Sequence, residues 1–132
     1  MSHGVVHFEI AADDPDKLAD FYRGLFGWKI DKMPMADGSD YLMTQTVPTN
    51  EQGMPSEPGA INGGIFKRPA PDVRGANYIN VESVSDFVQK AKGLGANVVV
   101  DRTPIPGMGY FAQMVDPQGN VFGLFEVNQS AK

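Results

Sequence analysis

The chain repeats itself, and that constrains its fold more than any single motif. His7-Phe8-Glu9-Ile10-Ala11-Ala12-Asp13-Asp14-Pro15 leads into a helix-like run ending Leu25-Phe26-Gly27-Trp28. At an offset of 69, Asn77-Tyr78-Ile79-Asn80-Val81-Glu82-Ser83-Val84 leads into a second such run ending Leu94-Gly95-Ala96. Leu18 falls on Phe87, Tyr22 on Ala91 and Leu25 on Leu94. One strand-turn-helix pattern recurring at one spacing predicts two copies of a supersecondary unit. Two such units can face each other across a cleft.

Local signals fill in each copy. Val5 to Ala11 alternates as a strand. Asp14 suits a helix cap, Pro15 the first helical position and Asp16 the positive helix end. Leu18, Phe21, Tyr22, Leu25 and Phe26 recur at helical spacing as one apolar face, and Gly27 stops the helix. Strands are expected over Trp28 to Lys32, Tyr41 to Val47 and Ala60 to Lys67, with a loop at Met33 to Ser39. Pro48 to Gly59, rich in Pro and Gly, reads as a surface connection or a lid, and Arg68 to Gly75 as a linker.

The second copy follows the same order. Strands are expected over Asn77 to Val81, Val98 to Val100, Tyr110 to Val115 and Asn120 to Val127. A helix is expected over Val84 to Leu94 behind a serine cap, and a Pro/Gly loop over Thr103 to Gly109. Asp116-Pro117-Gln118-Gly119 has turn chemistry. Each copy is therefore βαβββ, the first over residues 5–67 and the second over 75–127, within one domain of residues 1–132.

Composition narrows function. The chain has no cysteine, which excludes disulfides, thiolate metal sites and cysteine nucleophiles. Its net charge is -5 and Lys67-Arg68 is its one adjacent basic pair, so neither nucleic acid nor an anionic membrane is expected as a partner. No apolar run approaches the ~20 residues of a membrane span. The start Met1-Ser2-His3-Gly4 has no signal-peptide character, and a cytoplasmic protein is expected. Gly93-Leu94-Gly95 ends a helix, whereas a dinucleotide loop precedes one.

Three segments carry a family resemblance: His7-Phe8-Glu9-Ile10 with the Asp14-Pro15 helix ending Phe26-Gly27-Trp28; Gly63-Gly64-Ile65-Phe66; and Asp116-Pro117-Gln118-Gly119-Asn120-Val121-Phe122-Gly123-Leu124-Phe125-Glu126. The chain resembles the vicinal oxygen chelate superfamily of glyoxalase I, bleomycin-resistance proteins and extradiol dioxygenases. It looks most like the glyoxalase-related branch sometimes labelled a lyase. The resemblance implies an α+β fold in which two βαβββ modules form a curled mixed sheet around a small-molecule cleft, and a homodimer.

Metal-dependent members of that superfamily place a ligand near the start of each module's first strand and another in each last strand. His7 stands at the first position; the other three fall on Ala76, Gly64 and Gly123. Glu126 lies three residues beyond Gly123 and so points to the opposite sheet face. His3 would lie ~13 Å from His7 on an extended strand, too far for one ion held at ~2.0–2.1 Å by both. A full metal site is therefore not expected and no cofactor is assigned; the alternative is a divalent metal at His7, perhaps with Glu9.

The expected function is small-molecule binding or catalysis without the family's full metal site. The alternative is a metal-dependent lyase, isomerase or dioxygenase. His7 and Tyr78 are the candidate catalytic groups, with His7 as a general base. His7, Glu9, Tyr78 and Asn80 share the expected ligand-facing side by strand alternation. Gly64 and Gly123 sit where ligand carboxylates would project, so they are expected to widen the cavity floor or to let a curled sheet bend.

Overall fold

The computed structural model describes residues 3–35 and 37–132. Eight strands and two helices follow one another as β1 (Val5–Ala12), α1 (Pro15–Phe26), β2 (Lys29–Pro34), β3 (Asp40–Gln45), β4 (Gly63–Lys67), β5 (Gly75–Asn80), α2 (Val84–Gly93), β6 (Asn97–Ile105), β7 (Gly109–Val115) and β8 (Val121–Val127). The chain forms two compact units. The first is His7–Gly75; the second is residues 3–6 with Ala76–Lys132.

In the first unit the strand order is β2-β3-β4-β1. β4 pairs antiparallel with β3 and parallel with β1, with Glu9 opposite Gly64 and Met43 opposite Gly64 from the other side. α1 begins as expected, the Asp14 carboxylate accepting from Lys17 N at 3.2 Å with Pro15 inside the first turn. It ends at Gly27, whose φ of 71° suits glycine. The helix covers one sheet face through Ala19, Leu18 and Tyr22, packed on Ala12, Ile30, Leu42 and Ile65.

The expected apolar stripe of α1 divides. Leu18 and Tyr22 pack inward, but Phe21, Leu25 and Phe26 are more than half exposed. A stripe that wide exceeds the contact arc of one helix on one sheet. Three rings gather at its end: Trp28 stacks on Tyr22 at 5.0 Å and meets Phe26 at 5.3 Å.

The second unit repeats the plan with strand order β5-β8-β7-β6. β5 runs parallel to β8, Tyr78 opposite Gly123, and Gln113 of β7 faces Gly123 from the other side. Its core is Val81, Val84, Val88, Ala112, Met114 and Leu124 under α2. Ser83 caps α2 through Asp86 N, and Gly95 at φ 106° follows its end. Glu126 reaches the same helix: its Oε1 accepts from Val84 N at 2.9 Å, on the helix side as alternation requires.

Several strand ends depart from expectation. Thr103 to Ile105 is strand, not loop, because β6 continues past two register shifts to pair with Phe111, Tyr110 and Gly109. β6 is the last strand in its row, so Pro104 can stand in it with no ladder donor required on the open side. Met33 and Pro34 likewise extend β2, another end strand. β4 begins at Gly63 rather than Ala60, because the chain before it serves the preceding loop.

That loop, residues 48–60, is held by its own bonds. Asn50 N donates to Met54 O and Ser56 N to Pro48 O. Asn62 pins the base: its Oδ1 accepts from Thr46 N at 2.8 Å and Val47 N at 3.2 Å, while its Nδ2 donates to Val47 O. Asn62→Ala is expected to cost about 2 kcal/mol, the sum of lost bonds and stranded amides, and to speed proteolytic cutting within 48–60. Unchanged stability and cutting would show that the loop does not depend on this side chain.

The linker at Arg68 to Gly75 is also tied down. Ala11 N donates to Arg74 O, Arg68 N donates to Ala12 O, and the Arg68 guanidinium bonds Asp13 and the Val73 carbonyl. Arg68 thus clamps this segment to β1.

Candidate active site

In each unit the strands have one face under the helix. The opposite face of the first unit carries His7 and Glu9 of β1, Gly64 of β4, and Tyr41 of β3. Strand alternation puts His7 and Glu9 there together, as expected. What joins them is a residue that sequence reasoning missed. The Tyr41 hydroxyl lies 2.7 Å from His7 Nε2 and donates to Glu9 Oε2 at 3.0 Å.

Gly64 explains how Tyr41 reaches that position. A Cβ on Gly64 would stand 2.1 Å from the Tyr41 Cζ and hydroxyl. The ring crosses directly over the glycine from β3 to β1. Aromatic cover of a strand glycine is a recurrent way to fill the gap left by the missing side chain. Gly64 is therefore neither a widened floor nor a mere bend; it is the seat of a phenol.

The second unit builds a similar seat from the other direction. A Cβ on Gly123 would lie 2.3 Å from Tyr78 Cδ2 and Cε2. The Tyr78 ring, 4% exposed, crosses from β5 toward β7, where Gln113 Nε2 donates to its hydroxyl at 2.6 Å. Phe111 packs edge-on at 6.4 Å. Tyr78, a candidate catalytic and ligand-facing residue in the sequence, is buried, with its hydroxyl engaged by Gln113. Asn80 lies two residues along β5; its backbone carbonyl accepts from His3 Nδ1 at 3.1 Å.

Burial governs the electrostatics. Removal of His7 from water disfavours its charged form and lowers its pKa from 6.5 to about 4. His7 is accordingly a neutral imidazole at pH 7.

The donor set does not suit the family's divalent metal. Gly64, Ala76 and Gly123 carry no donor side chain, and tyrosine rings fill the spaces from which carboxylates at the two glycines would project. In the first unit a phenol stands between the imidazole and the carboxylate that an ion would have to bridge. No cluster of three His, Cys, Asp or Glu side chains able to hold an ion occurs among the described residues.

Comparison with known proteins decides the family. Residues 4–124 match the profile of the Glyoxalase/Bleomycin resistance protein/Dioxygenase superfamily. The chain belongs to this superfamily. Curated relatives include the protein named "Putative glyoxylase CFP32" from Mycobacterium bovis and from Mycobacterium tuberculosis, 28% identical over 120 residues. That match takes in 89% of this chain but 42% of the relative, so the chain spans less than half the length of these relatives.

Solved structures agree on the fold. The hypothetical protein BH1468 from Bacillus halodurans superposes with a TM-score of 0.67 at 17% identity, over 100% of this chain and 99% of that one. A Streptomyces coelicolor methylmalonyl-CoA epimerase variant, in complex with 2-nitronate-propionyl-CoA, superposes with a TM-score of 0.68 at 16% identity, again over 100% and 99%. The α+β architecture with a mixed sheet is the glyoxalase-type fold. No helix among the described residues is long and apolar enough to cross a membrane.

Proposed function

We propose that this chain binds a small organic molecule and works without the superfamily's full metal site, as a homodimer. The single observation that carries the reading is the pair of glycine seats. The positions at Gly64 and Gly123 are given over to Tyr41 and Tyr78 rings, and such filling is incompatible with carboxylate ligands there. In place of an ion the first unit offers His7, Tyr41 and Glu9, and the second offers Tyr78, with Asn80 two residues along the same strand. Phenols, an imidazole and a carboxylate bind by hydrogen bonds and can move protons, so the reading covers a binding protein and an acid–base enzyme alike. The epimerase neighbour supports the small-molecule class only through its fold.

The test is thermal unfolding with millimolar Mg2+, Mn2+, Co2+, Ni2+ or Zn2+, alongside native mass spectrometry of the protein as purified. A ligand present at 100 times its Kd stabilises the native state by about 2.7 kcal/mol. A genuine metal site would thus raise Tm by several degrees, roughly, at this chain length. The expected result is no rise with any ion, a metal-free dimer, and stabilisation by members of an organic fragment set. One stoichiometric divalent ion per chain would overturn the reading and favour a metal-dependent lyase, isomerase or dioxygenase.

A further inference from the structure

The Tyr41 hydroxyl has one hydrogen, and both Glu9 Oε2 and His7 Nε2 lie within hydrogen-bond reach of it, which fixes the direction of these two contacts. A carboxylate only accepts hydrogen bonds. Tyr41 therefore gives its hydrogen to Glu9 Oε2 at 3.0 Å. Its oxygen is then left to accept, and the group 2.7 Å away is His7 Nε2. For that contact to be a hydrogen bond, Nε2 must carry the proton. A neutral imidazole protonated at Nε2 has its lone pair at Nδ1.

We propose that Tyr41 is a positioning residue that transmits the demand of Glu9 to His7, holding the imidazole as its Nε2–H tautomer with Nδ1 as the accepting nitrogen. The inference deepens the site reading above, since it says which nitrogen of His7 can accept a hydrogen bond or proton there. The roles follow the logic by which a carboxylate orients a histidine, with a phenol inserted as the intermediary. When Nδ1 takes a proton, the ring becomes cationic while Nε2–H, the Tyr41 hydroxyl and Glu9 stay in line, so the positive charge is linked to the carboxylate through Tyr41 with no atom displaced. Gly64 makes the arrangement reachable, because any Cβ there would push the ring off this line.

The experiment needs neither ligand nor metal, so its outcome is separate from that of the metal test. Long-range 1H–15N correlation on the 15N-labelled full chain at pH 7 distinguishes the two nitrogens of His7. The wild type is expected to show a protonated Nε2 and an unprotonated Nδ1. Tyr41→Phe keeps the ring over Gly64 but removes the link, and is expected to lose that single pattern. Glu9→Ala gives an independent and signed reading. With its acceptor gone, the Tyr41 hydrogen turns to His7 Nε2, and the ring is expected to switch to the Nδ1–H form. A wild-type ring protonated at Nδ1 overturns the proposal. So does an unchanged Nε2–H pattern in either variant, and Glu9→Ala decides the matter should Tyr41→Phe fail to fold.

Discussion

Gly123→Ala is expected to lower the unfolding free energy by about 3 kcal/mol, the upper end for overpacking a well-filled interior. The new methyl would stand 2.3 Å from two carbons of the Tyr78 ring. That ring is 4% exposed and its hydroxyl is held by Gln113, so it has no open direction in which to yield. The cause is testable by a double-mutant cycle in urea. In a Tyr78→Ala background the same Gly123→Ala change should cost under about 1 kcal/mol, because its obstacle is gone. Equal costs in the two backgrounds would mean that the ring is not what excludes a side chain at this position.

The second large effect is a pH dependence. The unfolded chain takes up a proton on His7 near pH 6.5, and the folded chain only near pH 4. Between those values the unfolded state holds more protons, so acid pulls the equilibrium toward unfolding. The stability linked to a neutral His7 is complete above about pH 6.5 and is lost as pH falls to about 4. At 1.36 kcal/mol per pKa unit this amounts to about 3 kcal/mol. Carboxylates also titrate in acid, so the informative quantity is the difference between the wild type and His7→Gln. That difference should be flat from pH 7.5 to 6.5 and then swing against the wild type down to pH 4. A flat difference throughout would show that His7 is solvated and titrates normally.

Much of the architecture was legible in the chain because its signals are local. Asp14-Pro15 and Gly27 bracket α1 through capping bonds that depend on neighbours a few residues away. Asp116 likewise gathers Gln118 N and Asn120 N into the final turn at 2.8 and 2.9 Å. Strand limits were less legible where a ladder partner decides them. Thr103 to Ile105 carries a proline and a loop-like composition, yet Phe111, Tyr110 and Gly109 draw it into β6.

At the site, alternation was enough to place His7 beside Glu9, and the glycines at 64 and 123 pointed away from a metal. Tyr41 was missed because its link to His7 spans 34 residues and three strands, and no local pattern marks it. One signal was available: a glycine inside a strand needs a cover, and a large ring on the neighbouring strand, two residues off register, is the natural source.

The two seats are not copies of each other. Glu9 stands against Gly64 as Tyr78 stands against Gly123, and Tyr41 holds the place that Phe111 holds in the other copy. The two rings come from opposite flanks of their glycines. Each gap is thus closed from its own neighbouring strand, so a substitution that disturbs one cover leaves the other in place.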